Sequence, residues 1–547
     1  MAKIKPNKIY LEWLHSKNVP DKAKKVISKN TQEEIDLYFS KDHMHFGTAG
    51  IRGLIGPGTM RVNRFTYAQF CFGYAKYLLK RFGKKSSVVI GHDNRYMSDE
   101  FSKICANVMT SFGIKVYLFK NNHLTPTPII SYCIRQLKAT GGIIVTASHN
   151  PKNYNGFKVY NPDGGQILPD VADQIEKNMP SSIGLTNIKY KPNNKLISYI
   201  SEDLIKKYFK DVQKVLINKS FAKKVKKWPV IVTCHHGTAS KYLPEFLKSL
   251  HFNVIPVKEQ CYPDPKFTNS PSSNPEDIKS FDLSIKYANK YHANICIGVD
   301  PDADRMAVLL KHKGKWRLMT GNDMGILYTY FNLVNRKYRK IPFITASYVS
   351  TGYIDKIAKA YKAKVYRTGT GFKWMGAVIS KYDKSQDFVV AFEEAIGACN
   401  TNINRDKDCF SATLAALEIY DYCLSKHMDL VDYLEKVIFK KFGTWFGATD
   451  SFVITKLNWQ PIAEAKMNYF KNYKKKTFNG LTIKKIQWNK VGGCLEWLLD
   501  KGEWIKFRRS GTEPKFKVYY NFYGGSLHSL RKKYESLHKA FNKIITK

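Results

Sequence analysis

The chain has 547 residues, 24% of them charged and 44% hydrophobic, which at roughly 150 residues per domain predicts three to four folded domains and excludes a single small module or wholesale disorder. It carries 89 lysines and arginines against 45 aspartates and glutamates, a formal charge of +44. Such a field attracts anionic small molecules or polyanions and says nothing about fold. Runs such as Lys223–Lys227 and Lys474–Lys476 read as solvated surface, and no basic stripe interleaved with stacking aromatics is present, so no nucleic-acid partner is expected.

Ten cysteines (71, 105, 133, 234, 261, 296, 399, 409, 423 and 494) are scattered with no C-x-x-C pair, which argues against a zinc site and a disulfide framework and for reduced thiols in a cytoplasmic setting. The N-terminal stretch lacks the apolar h-region of a secretory signal, and no apolar run reaches the length of a membrane span, so no membrane association is expected.

In chain order, short apolar runs alternate with longer amphipathic stretches through residues 1–440. Val88–Gly91, Val116–Phe119, Gly142–Ala147, Val230–Cys234, Val254–Val257, Ile295–Val299, Phe343–Ala346 and Phe388–Phe392 read as buried strands. Helices are predicted over Phe101–Phe112 and Pro275–Tyr291, the latter with Asn274 as N-cap. The alternation implies α/β domains. The last hundred residues differ: Leu481–Trp488, Cys494–Leu499, Trp504–Arg508 and Phe516–Phe522 read as an antiparallel sheet. A helix follows from Ser526, with Leu527, Leu530, Tyr534, Leu537, Phe541 and Ile544 on one face.

Five short segments carry chemistry. Asp300, Asp302 and Asp304 stand at alternate positions directly after the strand Ile295–Val299, where their oxygens can converge on a hard divalent cation. A calcium EF-hand would need Gly at the sixth position and Glu at the twelfth; Arg305 and Lys311 stand there. A Mg²⁺ site beside a charged substrate is therefore preferred. Thr146-Ala147-Ser148-His149-Asn150-Pro151 ends another apolar run and is followed by Asn155-Gly156-Phe157-Lys158. Ser148, with His149 adjacent and Lys158 ten residues on, is either a nucleophile that carries a phosphate or part of a plain turn. No G-x-S-x-G elbow surrounds it, which disfavours an ordinary esterase.

Arg508-Arg509-Ser510-Gly511-Thr512 joins two predicted strands and suits a phosphate-binding loop. A Walker-type loop is absent, because Leu78 stands where Gly83-Lys84-Lys85-Ser86 would need its first glycine. Glu393 and Glu394, after the strand Phe388–Phe392, could accept hydrogen bonds from sugar hydroxyls, and Thr368-Gly369-Thr370-Gly371-Phe372-Lys373 is a turn ending in a cation.

With Phe46-Gly47-Thr48-Ala49-Gly50-Ile51-Arg52-Gly53 near the start, these segments occur in an order that resembles the α-D-phosphohexomutase superfamily, the phosphoglucomutase/phosphomannomutase enzymes, over essentially the whole chain. The forms TASHNP, GVDPDADR and FEEAIG look most like the branch that includes bacterial phosphoglucomutases and phosphopentomutase-like members. The resemblance implies an α/β protein of four domains round a central cleft. Three would be similar α/β domains with mixed sheets (1–205, 206–322 and 323–440), and the fourth (441–547) an α+β domain resembling the TATA-binding-protein fold.

It also implies roles. Ser148 would be the phosphoserine and, with Asp300, Asp302 and Asp304, would bind one Mg²⁺. Arg52, His149, Lys158 and Arg305 would serve catalysis, while Lys373, Glu393, Glu394, Arg508, Ser510, Gly511 and Thr512 would bind substrate. The implied reaction moves a phosphoryl group between the C1 and C6 (or C5) hydroxyls of a hexose or pentose phosphate through a bisphosphate that also serves as activator. Conversion of glucose 1-phosphate to glucose 6-phosphate is expected first, with phosphomannomutase or phosphopentomutase activity as alternatives and a non-catalytic polyanion-binding protein as the remote one. The expected partner is a phosphorylated sugar, and the expected state a monomer or weak homodimer. Three departures stand out: Ala395 where many relatives have Ser, Arg509 where Pro is common, and Cys409 where Gly is expected.

Overall fold

The computed structural model describes residues 4–47, 50–120, 123–455, 459–509 and 515–546. The chain divides into two compact units, one of residues 1–311, 316–318 and 401–414, the other of residues 312–315, 319–400 and 415–547.

The first unit is built on two sheets. One runs, edge to edge, Ile51–Leu54, Tyr154–Tyr160, Gly141–Val145, Ser87–His92, Lys115–Phe119 and Ile197–Ile200. Its last four strands are mutually parallel, and the first three pair antiparallel. Ser87–His92 is buried along its whole length, which is why it reads as an unbroken apolar run rather than an alternating one. The helix Arg64–Phe82, capped by Asn63 and Thr66, packs Tyr67, Phe70, Cys71 and Tyr74 into the core below. The other sheet runs Lys315–Leu318, Met306–His312, Ile295–Val299, Pro229–Thr233 and Asn253–Pro256; Met306–His312 is antiparallel to Ile295–Val299, and Pro229–Thr233 is parallel to both Ile295–Val299 and Asn253–Pro256.

In the second unit, the strands Lys364–Thr368, Pro342–Ser347, Asp387–Phe392 and Ala398–Cys399 form a mixed sheet. A five-stranded sheet, Trp445–Val453, Lys515–Tyr523, Trp504–Arg509, Cys494–Leu498 and Lys485–Asn489, is antiparallel throughout. Its core is aromatic: Phe470 stacks on Phe507 with ring centroids 4.5 Å apart, and Phe478 on Phe541 at 4.8 Å.

The predicted strands match closely, and Ser526 caps the last helix, Leu527–Ile545, which buries Leu530, Leu537, Phe541 and Ile545. Two elements differ. Where one helix is expected over Pro275–Tyr291, a 3₁₀ turn at Ile278–Phe281 precedes an α-helix over Asp282–Lys290, because Asp277, not Asn274, accepts the capping bond from Lys279. The strand expected over Leu481–Trp488 is broken: Leu481–Thr482 pairs with Thr477–Phe478 and only Lys485–Asn489 joins the main sheet.

Candidate functional site

The strand Ile295–Val299 turns back into Met306–His312 with Val299 opposite Met306, so residues 300–305 form a hairpin loop. Ala303 takes a left-handed φ of 61°, which tightens the turn. The alternate aspartates thereby converge: Asp300, Asp302 and Asp304 each offer an oxygen within 4.8 Å of the others, and all three are buried. Asp300 Oδ1 accepts hydrogen bonds from the backbone of Asp304 and Arg305, at 3.0 and 2.9 Å. Thr127 donates to the Asp302 carbonyl through its N–H and to Asp302 Oδ2 through its hydroxyl.

Ser148 lies in the loop between the antiparallel strands Gly141–Val145 and Tyr154–Tyr160. It is 1% exposed and holds a left-handed φ of 53°, a conformation unfavourable for a residue with a Cβ and kept here by its surroundings. The surroundings are explicit: its N–H donates to Thr146 Oγ1, and the guanidinium of Arg95 donates to the carbonyls of Ser148, Asn150, Pro151 and Tyr154. The Ser148 hydroxyl donates to Asp300 Oδ2 at 2.9 Å and lies 3.3 Å from His149 Nδ1. The serine and the aspartates, 152 positions apart, thus share one pocket.

Lysines flank the acids. Lys158 Nζ stands 2.6 Å from Asp302 Oδ2 and 3.2 Å from Asp304 Oδ2, and Lys407 Nζ is 3.0 Å from Asp304 Oδ2. Burial works against the Lys158 charge, but Asp302 and Asp304 outweigh it and raise its pKa. Burial likewise opposes ionisation of Asp304, and Lys407, Lys158 and Arg305 overcome it and hold that carboxyl down. Asp300 has no such lysine; burial first, and then the charges of Asp302 and Asp304, push it well up. Burial, aided by Arg305 and Arg52, pushes the His149 imidazole well below its usual pKa. Arg52 donates to Asn150 Oδ1 at 2.8 Å, and Arg305 faces Glu276 at 3.6 Å and Asp304 at 3.8 Å.

The donor set fits a hard divalent cation. Asp302 Oδ1 and Asp304 Oδ1 are buried and accept no hydrogen bond, and an oxygen-only cluster with one carboxyl that resists ionisation is a place where a cation relieves an electrostatic cost.

In the second unit, Glu393 Oε1 accepts from the N–H of Gly371, the N-cap of the helix Phe372–Tyr382, at 2.8 Å, which places the start of the helix that carries Lys373 beside the loop of Glu393. Glu394 Oε2 accepts from the hydroxyls of Ser347 and Ser350. A Cβ at Gly321 would stand 2.4 Å from the Glu394 carbonyl, so only glycine lets the helix Gly321–Asn335 start this close to the acidic loop. Arg508 is the penultimate residue of the strand Trp504–Arg509; Ser510, Gly511 and Thr512 lie outside the described residues.

Three families of the phosphoglucomutase/phosphomannomutase α/β/α domains match in succession: domain I over residues 43–183, domain II over 206–314 and domain III over 320–438. The chain belongs to the phosphoglucomutase/phosphomannomutase family. It is 44% identical over 541 residues to a phosphomannomutase of Mycoplasmoides pirum, covering 98% of this chain and 99% of that protein. To a phosphoglucomutase of Staphylococcus aureus strain N315 it is 32% identical over 507 residues, covering 87% and 88%. A family protein from Burkholderia thailandensis shares the fold with a TM-score of 0.67 at 16% identity, covering 92% of this chain and 98% of that one.

Some of the pocket is not apparent from the motifs. Lys407 and Arg95 are not singled out by spacing, although each sits in a charged cluster, Asp406-Lys407-Asp408 and, after an apolar run, His92-Asp93-Asn94-Arg95. The three departures find physical settings. Arg509 pairs with Glu464. Cys409 opens the helix Cys409–Leu424, is fully buried, and its N–H donates to the Ala303 carbonyl, bracing the aspartate loop. Nothing in the structure explains Ala395.

Proposed function

We propose that this chain is a mutase of phosphorylated sugars that carries the phosphoryl group on Ser148 and acts through a bisphosphate intermediate. The observation that carries this reading is the Ser148 hydroxyl, 2.9 Å from Asp300 Oδ2, beside two buried carboxylate oxygens that accept no hydrogen bond. Ser148, Asp300, Asp302 and Asp304 would hold one Mg²⁺, which when bound supplies charge neutralisation for the phosphoryl oxygens.

In the forward step the bond between phosphorus and Ser148 Oγ breaks and one to the free sugar hydroxyl forms. The proton of the sugar hydroxyl passes to Ser148 Oγ, restoring the serine, with His149 Nδ1, 3.3 Å from that oxygen, as its adjacent hydrogen-bond partner. Return of the other phosphate of the bisphosphate to Ser148 completes the cycle. Lys158, Arg52 and Arg305 position and neutralise the phosphoryl group in this reading, a transfer that rests on positioning and charge more than on covalent chemistry. Lys373, Glu393 and Glu394 meet the sugar, and Arg508, Ser510, Gly511 and Thr512 hold the phosphate that is not in transfer. A sugar bisphosphate primes the serine.

Glucose 1-phosphate is the first expected substrate, and the Mycoplasmoides pirum relative's name favours mannose 1-phosphate as the second. The four expected domains, 1–205, 206–322, 323–440 and 441–547, remain our division, supported by one principal sheet in each. We place the protein in the cytoplasm as a monomer or weak homodimer; among the described residues no helix is long and apolar enough to cross a membrane.

The test is an assay with glucose, mannose and ribose 1-phosphates, a matching bisphosphate and Mg²⁺. Conversion of a hexose phosphate that chelation abolishes and Mg²⁺ restores is expected. Absence of turnover on all three sugars would remove the proposal.

A further inference from the structure

A second cluster of metal-ligating side chains lies in the first unit, away from the aspartate loop. Asp42, His43 and His45 fall within four consecutive residues just before Phe46-Gly47, and each offers an atom within 4.8 Å of the others'. Glu176, from the helix Pro169–Lys177, faces them. Its Oε2 is 2.8 Å from His45 Nδ1 and 3.7 Å from His43 Nε2, while Asp42 oxygens lie 3.1 Å from His45 Nε2 and 3.6 Å from His43 Nδ1. The two imidazole rings stand 4.6 Å apart.

The cluster is fixed from three sides. Glu176 Oε1 accepts from the Phe46 N–H at 2.7 Å, and Ser182 Oγ donates to the Asp42 carbonyl at 2.8 Å. The helix that carries Glu176 is itself pressed on the helix Arg64–Phe82, where a Cβ at Gly73 would stand 2.6 Å from the Ile175 carbonyl. His43 Nε2 is buried and has no hydrogen-bond partner, so one ring nitrogen of the cluster is available as a donor atom.

We infer that Asp42, His43, His45 and Glu176 form a binding site for a transition-metal dication, Zn²⁺ above all, distinct from the Mg²⁺ site at Asp300, Asp302 and Asp304. Two imidazoles and two carboxylates suit Zn²⁺, whereas Mg²⁺ prefers oxygen alone. Donors about 2.0–2.1 Å from a tetrahedral zinc stand about 3.4 Å from one another. Asp42, His43 and His45 already bring one atom each within 4.8 Å of the others, and Glu176 adds an oxygen 2.8 Å from His45 Nδ1 and 3.7 Å from His43 Nε2; because Asp42 now faces the opposite ring nitrogens, turning its carboxylate toward that side completes the site. The scattered cysteines speak only against thiolate ligation and leave this donor set untouched. A metal here ties residues 42–46 to the helix Pro169–Lys177 at the start of the segment that carries Arg52, and so acts as a clip on the lead into the reaction pocket.

The site is tested on the full chain with Zn²⁺ alone as probe, in millimolar Mg²⁺ to occupy the aspartate pocket, by competition against a chromogenic chelator. One Zn²⁺ per chain is expected, its affinity weakened about tenfold or more in His43→Ala and in His45→Ala and retained in Asp302→Asn. Zinc K-edge absorption of the unmodified protein provides the second readout, with outer-shell scattering from two imidazoles expected. A wild type that binds no zinc in Mg²⁺, variants that bind it equally well, or a spectrum without imidazole scattering overturns the inference. None of these results depends on mutase activity, so failure of the clip and failure of the proposed reaction are told apart.

Discussion

In the first unit, Lys158, Asp302, Asp304 and Lys407 meet directly with side chains no more than 6% exposed. In the second, the candidate sugar-binding residues Lys373, in the first turn of the helix Phe372–Tyr382, and Glu393 stand half-buried, and Arg509 pairs with Glu464 at 42% and 47% exposure. The contrast follows from the work each place would do. A phosphoryl group in transfer needs charges fixed before it arrives, and charges hold their direction best where water is excluded. A sugar that must bind, turn and leave is better met by side chains near solvent. The buried arrangement costs solvation and is held together by pairing, so removal of one member is severe; exposed pairs tolerate loss.

The sharpest break of this comparison is Ser148→Ala, for which the mutase rate should fall about a thousandfold or more while the fold persists. Retention of a tenth of the rate would place the carrier elsewhere.

Next in size is Arg95→Met. Arg95 and Asp93 pair at 3.3 Å with no exposed side-chain surface, and the variant strands that carboxylate and releases the serine loop. A loss of about 3–5 kcal/mol in stability is expected by denaturant unfolding. A loss as small as that of a surface pair would contradict the claim that the pocket is braced by buried charge.

Among the described residues the second unit has one buried cation, Lys506, and it sharpens the comparison through pH. Lys506 Nζ is 3.2 Å from Glu496 Oε1 and lies over the rings of Tyr348 and Trp504, at 4.1 and 3.9 Å. Burial pushes it down from 10.5 to about 8 despite Glu496. Between those values the unfolded chain binds the proton and the folded chain does not, so this group's contribution to stability improves as pH rises through the window. From about pH 7.5 to about 9.5 the wild type should gain about 2 kcal/mol relative to Lys506→Met. Parallel pH profiles for the two proteins would show that the ammonium is not held in this way.

The smallest effect is expected at the surface: Arg509→Ala should change stability by less than about 1 kcal/mol. A change of several would mean that the departure from Pro at this position is structural.

The strands were legible because parallel strands buried on both faces are continuous apolar runs, and Ser87–His92 and Ile295–Val299 are such runs. The split of Leu481–Trp488 was not, since both pieces have strand composition and only their partners differ. Among the site residues, the aspartates announce themselves by local spacing, whereas Ser148 is distinguished from a plain turn only by the family resemblance of its loop. Lys407 does not, because it meets Asp304 from 103 positions away. Nor does Arg95, whose four carbonyl partners are backbone atoms with no sequence signature.

The order of residues along the chain settled the class of domain, the loops that carry chemistry and the family, because each depends on patterns a few residues long. Packing alone decided that a serine and an aspartate loop share one pocket, that lysines from two distant segments neutralise it, and that two histidines meet Glu176 from another helix. Those outcomes depend on which surfaces bury one another, and burial is a property of the folded chain as a whole.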